Sequence, residues 1–112
     1  VQTSIRNSRP LKTSLLIILL ALVTPAQAEL TQQRLQELKH LLKHDCGSCH
    51  GMTLNGGLGP ALLPGSLKDK PDELLFVTIR EGRHGTPMPP WKSLLSDDDI
   101  KSIIKLLRTP PE

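Results

Sequence analysis

Cys46-Gly47-Ser48-Cys49-His50 carries the first decision about this chain, because it is a C-x-x-C-H pentapeptide. Two thiols three residues apart can each bond covalently to a vinyl group of one porphyrin, and the next residue then sets an imidazole against the iron; the pattern is the attachment sequence of a c-type haem. Three other readings of the cysteines compete with it. A structural zinc site needs four ligands, and two cysteines with scattered histidines do not make a convincing set. A thioredoxin-like dithiol belongs beside a βαβ pattern, which is missing here. A plain disulfide suits an exported protein but gives no reason for His50 to follow at once.

Upstream of the motif the text changes character. Arg6, Arg9 and Lys12 form a basic region, Leu15 to Val23 (LLIILLALV) is an apolar run, and Ala26-Gln27-Ala28 offers small residues for cleavage. This reads as a secretory signal over residues 1–28 and a domain over 29–112, and so as a periplasmic protein. An uncleaved anchor is the rival, but a spanning helix needs about 20 apolar residues, and Pro25 closes the run early.

The expected cut also changes the charge balance. The chain has 14 Lys and Arg against 11 Asp and Glu, but its first 28 residues hold three of the bases and no acid. The remaining domain is therefore balanced, and the net +3 of the whole chain is no argument for nucleic acid. One Trp, one Phe and no Tyr leave no platform for stacking bases either. A domain this small has a marginal apolar core, so a covalently held porphyrin would supply missing surface, and the haem-free chain should fold poorly.

Downstream of residue 28 the periodicity is helical. Leu35, Leu38, Leu41 and Leu42 repeat at helical spacing, which predicts a helix over 32–45 with Thr31 as its N-cap. Residues 51–65 (GMTLNGGLGPALLPG) read as a loop, long enough in a small domain to wrap around something. Asp69 and Pro71 open a second helix whose stripe is Leu74, Leu75, Thr78 and Ile79, with Gly82 as its stop. Residues 83–92 (RHGTPMPPWK) are again loop. Ser96 and Asp99 form a capping signal for the last helix, in which Ile100, Ile103, Ile104 and Leu107 make the apolar face. No strand pattern, repeat or second domain is visible, so the fold class is all-α.

An iron held by His50 on one face needs its sixth ligand from the other. Met88 stands in a loop stiffened by Pro87, Pro89 and Pro90, a suitable setting for a soft thioether on a metal. Met52 is too close to His50 in the chain and reads as packing. His84, four residues before Met88, reads as an exposed loop residue able to replace Met88 in a misligated form. His40 and His44 read as surface residues of the first helix.

Taken together, C-G-S-C-H-G, G-L-G-P-A-L, G-T-P-M-P-P-W and the capped final helix resemble the mono-haem class of cytochrome c, over residues 38–107. The resemblance implies three main helices and long loops around one haem, with the first and last helices crossed at the haem edge. It implies that the Pro60 carbonyl accepts the proton of the His50 ring and that Met88 is the distal ligand. It also implies that Leu62 lines the pocket and that Trp91, with Thr86, lies near a propionate. The pattern often has Gly and an aromatic residue eight and four positions before the first cysteine. Leu38 and Leu42 stand there in this chain, so the helix crossing should be wider or differently packed.

More narrowly, HDCGSCHGMTLNGGLGPAL and EGRHGTPMPPW are similar to the NirC or c-55X type cytochromes of denitrifying bacteria. That likeness implies redox partners in the haem-cd nitrite reductase system, either the reductase itself or the proteins that mature its d-type haem. The functional expectation is a monomeric one-electron carrier and not an enzyme, with haem c bonded to Cys46 and Cys49 and its iron held by His50 and Met88. The alternative is a haem protein whose weak sixth ligand yields to a small molecule, with His84, Arg80 and Arg83 as distal polar groups.

Overall fold

The computed structural model describes residues 25–110, with side chains from residue 31 onward. The basic and apolar segments of the expected export signal lie outside the described residues. Helix α1 runs over Pro25–Leu41, continues through a π-helical turn at Leu42–Cys46, and ends in a short α2 at Gly47–His50. It begins earlier than residue 32 because Pro25 suits a first helical turn and Ala26 to Leu30 contain good helix formers. Thr31 therefore lies inside the helix and is not its N-cap.

A short α3 at Pro64–Leu67 interrupts what reads as pure loop in the sequence. Helix α4 covers Asp72–Glu81, with Pro71 and not Asp69 at its N-cap. A proline disfavours helical backbone in the residue before it, so Lys70 cannot join the helix and the start moves past Pro71. Asp72 and Glu73 then lie in the positively polarised first turn. Helix α5, Asp97–Arg108, carries the full capping box: the Asp99 N–H donates to Ser96 Oγ and the Ser96 N–H donates to the Asp99 carboxylate. Among the described residues there is no strand.

The buried core joins Leu38 and Leu42 to Leu67, Leu75, Leu95 and the α5 stripe of Ile100, Ile103, Ile104 and Leu107. Leu38 is only 2 % exposed, so the two leucines that replace a small and an aromatic residue are absorbed by packing between α1 and α5. The same crossing is tied from outside by Arg34, whose guanidinium donates twice to Asp99 at 3.0 Å and once to Glu37 at 2.7 Å. At the other end of α5, Arg108 donates to the Leu67 carbonyl at 2.6 Å and to Asp72 at 2.8 and 3.0 Å. These ties hold α1, α3, α4 and α5 around a space that the side chains do not fill. No helix among the described residues is long and apolar enough to cross a membrane.

Candidate functional site

That space is a cavity of about 570 Å³. The π-helical turn presents Cys46 to it and α2 presents Cys49 and His50, the following loop presents Pro60 and Leu62, and the proline-rich loop presents Thr86, Met88 and Trp91. Leu74, Leu75, Thr78 and Ile79 of α4 line it as well. Leu74 is 53 % exposed, so the predicted apolar stripe of α4 is split between the open cavity at Leu74 and the buried core at Leu75. All seven residues expected at the site thus meet around one space. His84, Met52, His40, His44 and Arg80 are not among its lining residues. Arg83 is, with Lys70 and Asp45 as the other charged groups.

The π-helical turn widens the helix just before the motif, so that the Gly47 N–H reaches back to the Leu42 carbonyl. Such insertions recur at functional sites. Cys46 and Cys49 are not joined in a disulfide. Burial first, and then the neighbouring Asp45 carboxylate, push the Cys46 thiol up to about 11; a thioether at the same sulfur has no proton to lose.

The His50 ring is 9 % exposed, and its Nδ1 lies 2.7 Å from the Pro60 carbonyl oxygen. A carbonyl can only accept, so Nδ1 donates and Nε2 keeps its lone pair free to bind a metal. The loop reaches this position by two backbone bonds to the helix end, Gly59 N–H to the Cys49 carbonyl and Gly56 N–H to the His50 carbonyl, each 2.8 Å. Gly59 must be glycine here: a Cβ on it would stand 2.6 Å from His50 Cε1 and 2.7 Å from Nδ1. This residue was not singled out in the sequence. Its signal is the position itself, directly before a proline whose carbonyl has to approach a ring.

Met88, on the wall of the same cavity, is fixed through its backbone. Its carbonyl accepts from Arg83 N–H at 3.1 Å and its own N–H donates to Thr86 Oγ1 at 3.3 Å. Thr86 Oγ1 donates in turn to the Arg83 carbonyl at 2.7 Å. Gly82, at φ +70°, closes α4 and lets the Met88–Pro90 segment pass, since a Cβ there would lie 2.7 Å from the Met88 oxygen. Trp91 is joined to α4 by its N–H, which donates to the Ile79 carbonyl at 3.1 Å.

A family model described as "Cytochrome C oxidase, cbb3-type, subunit III" matches residues 33–107. The chain is 60 % identical over 75 residues to cytochrome c55X of Pseudomonas aeruginosa, covering 67 % of this chain and 63 % of the relative. It matches a solved structure titled c-type cytochrome NirC with 54 % identity and a TM-score of 0.67, covering 68 % of this chain and 89 % of that one. The chain belongs to the c-type cytochromes, in the group of NirC and the cytochromes c55X. A second solved structure, titled dihydro-heme d1 dehydrogenase NirN in complex with DHE, is 32 % identical with a TM-score of 0.60. That match covers 65 % of this chain and only 16 % of NirN, so a cytochrome of this kind resembles a small part of a larger protein.

The site fits the cofactor of this family, one haem c bonded through Cys46 and Cys49. Both sulfurs lie in the wall of a mostly apolar cavity, and a histidine with a free Nε2 stands beside the second of them. When bound, the haem supplies an iron that changes oxidation state by one electron. The chain spans about 63 % of the length of the P. aeruginosa relative.

Proposed function

We propose that residues 29–112, exported to the periplasm by a cleaved signal at 1–28, act as a monomeric six-coordinate electron carrier. His50 and Met88 hold the haem iron, and the partner belongs to the haem-cd nitrite reductase system. The observation that supports the ligand set most directly is that His50, oriented by the Pro60 carbonyl, and Met88, anchored through Arg83 and Thr86, line the same cavity as both cysteines. Two protein ligands saturate the iron, so substrate finds no open position and the protein's task is to pass electrons. Pro60, Leu62 and Trp91 complete the haem environment in this reading. No membrane anchor or nucleic acid takes part.

Spectroscopy tests the ligand set. The oxidised holoprotein should be low-spin with a weak near-infrared band from Met88 to iron, and the reduced form should not take up carbon monoxide readily. Met88→Ala should remove the band and open the iron to carbon monoxide. A wild-type protein that is high-spin or binds carbon monoxide freely would replace this reading by one in which the sixth position serves a small ligand.

Among partners, the likeness to NirN favours maturation of the d-type haem over direct donation to the reductase. NirN is by its title a dehydrogenase of dihydro-haem d1, and a dehydrogenation releases two electrons that a one-haem carrier would accept one at a time. The oxidised holoprotein should therefore be reduced when such a dehydrogenase turns over its dihydro-haem. Mixing the reduced holoprotein with haem-cd nitrite reductase in a parallel assay tests the other arm, and failure of both excludes this partner system.

A further inference from the structure

His40 and His44 lie outside everything argued so far. They stand four residues apart, His40 in the last turn of α1 and His44 in the π-helical turn, and both are exposed. Their ring centroids are 4.3 Å apart with the planes tilted by 38°. Among the described residues neither ring has a hydrogen-bond or ion-pair partner, so both are free to turn. In a regular α-helix residue i+4 lies about 40° past residue i around the axis; the wider π-helical turn rotates less per residue and brings the pair closer to alignment. Two histidines at i and i+4 on one helix face are the arrangement by which zinc is held in helical H-x-x-x-H sites. Imidazole suits zinc, copper and nickel ions.

We propose that His40 and His44 form a two-imidazole site for a divalent transition-metal ion of the copper, nickel and zinc class. Metal to nitrogen distances of about 2.0–2.1 Å require the two ring nitrogens to stand about 3 Å apart. Exposed rings already in contact reach that spacing by side-chain rotation alone. Water completes the coordination. Glu37, one turn earlier on the same face, stays out because its carboxylate is held by Arg34 at 2.7 Å and Gln33 at 3.3 Å. The nearby charges balance when the Arg34 pairs are included, Lys39, Lys43 and Arg34 against Glu37, Asp45 and Asp99, so a cation meets no net repulsion. The proposal is independent of the haem ligand set, since neither ring lines the cavity.

The test is calorimetric titration of the oxidised holoprotein with zinc chloride and, separately, with copper(II) or nickel(II) chloride. Wild type should bind one ion through these rings, copper more tightly than zinc. His40→Gln and His44→Gln should each weaken binding at least tenfold while leaving the Soret spectrum and helix content unchanged. His84→Gln, which alters the other exposed histidine, should bind as wild type does. Equal affinity in wild type and in the His40→Gln/His44→Gln double variant, or loss of binding in His84→Gln, overturns the proposal, as does the absence of binding by wild type.

Discussion

At the scale of single residues the glycines separate space that is used from space that is spare. Gly59 sits against the His50 ring so closely that a methyl group cannot be added without moving the ring or the Pro60 carbonyl. Gly59→Ala should therefore cost the holoprotein about 1–3 kcal/mol, the usual range for overpacking a tight site. Denaturant titration followed through the Soret band measures this. Gly65, inside α3, has nothing within 4 Å of an added Cβ. Gly65→Ala should be neutral or stabilise by about 0.5–1 kcal/mol, because alanine is the better helix residue. Equal effects at the two sites would contradict the packing described. Gly82 is a third case, in which positive φ and the Met88 carbonyl both exclude a side chain. Gly82→Ala should displace the Met88 loop and raise the fraction of reduced protein that binds carbon monoxide.

At the scale of elements, α5 was the most legible part of the sequence and α1 the least. Ser96, Asp99 and four apolar residues at helical spacing specify both the start and the buried face of α5, and local signals of that kind survive folding unchanged. The start of α1, the π-helical turn, α3 and the shift of the α4 cap are different. They depend on how a chain of adequate helix formers meets Pro25, Pro64 and Pro71, and on packing that no window of sequence contains. The tie between α1 and α5 was also invisible, since Arg34 and Asp99 are 65 residues apart. That tie has a consequence in acid. The Arg34 hydrogen bonds, opposed by burial and helped by Ser96, lower the Asp99 carboxyl from 3.8 to about 2. A group with a depressed folded-state pKa stabilises the fold above its unfolded value and loses that contribution as pH falls through the folded one. Stability from this pair should be complete above about pH 4 and lost by about pH 2. Arg34 is 44 % exposed, so solvent screening reduces the gain to about 1 kcal/mol. Arg34→Gln should lower stability by that amount at neutral pH and flatten the acid dependence between these limits. Ser96→Ala, which removes the cap but leaves the ion pair, should cost about 1 kcal/mol at neutral pH and keep most of the dependence, since the Arg34 hydrogen bonds are its largest cause.

At the scale of the whole molecule, the protein is a thin shell of helices and loops around its cofactor. The residues that meet at the cavity stood out in sequence because a covalent haem and the proposed ligand pair call for fixed residue types at fixed places: two cysteines, the adjacent His50, and a methionine between prolines. What encloses them was less readable, because Leu74 or Ile79 looks the same in a sequence whether it packs on protein or on porphyrin. The cavity gives the size of that dependence. At about 24 cal/mol for each Å³ left empty, 570 Å³ corresponds to roughly 14 kcal/mol as an upper bound, since the cavity is open on one side and its walls can collapse. The total stability of a domain is about 5–15 kcal/mol, so even half of that bound is comparable with the whole for a domain as small as this one. Cys46→Ser/Cys49→Ser, which cannot retain haem covalently, should therefore lack a cooperative unfolding transition and show reduced helix content by circular dichroism. The single variant Cys46→Ser, still tethered through Cys49, should keep both once haem is attached. A double variant that unfolds as cooperatively as the holoprotein would mean that the leucine and isoleucine core between α1 and α5 is sufficient on its own, and that the cofactor adds function to a fold already complete.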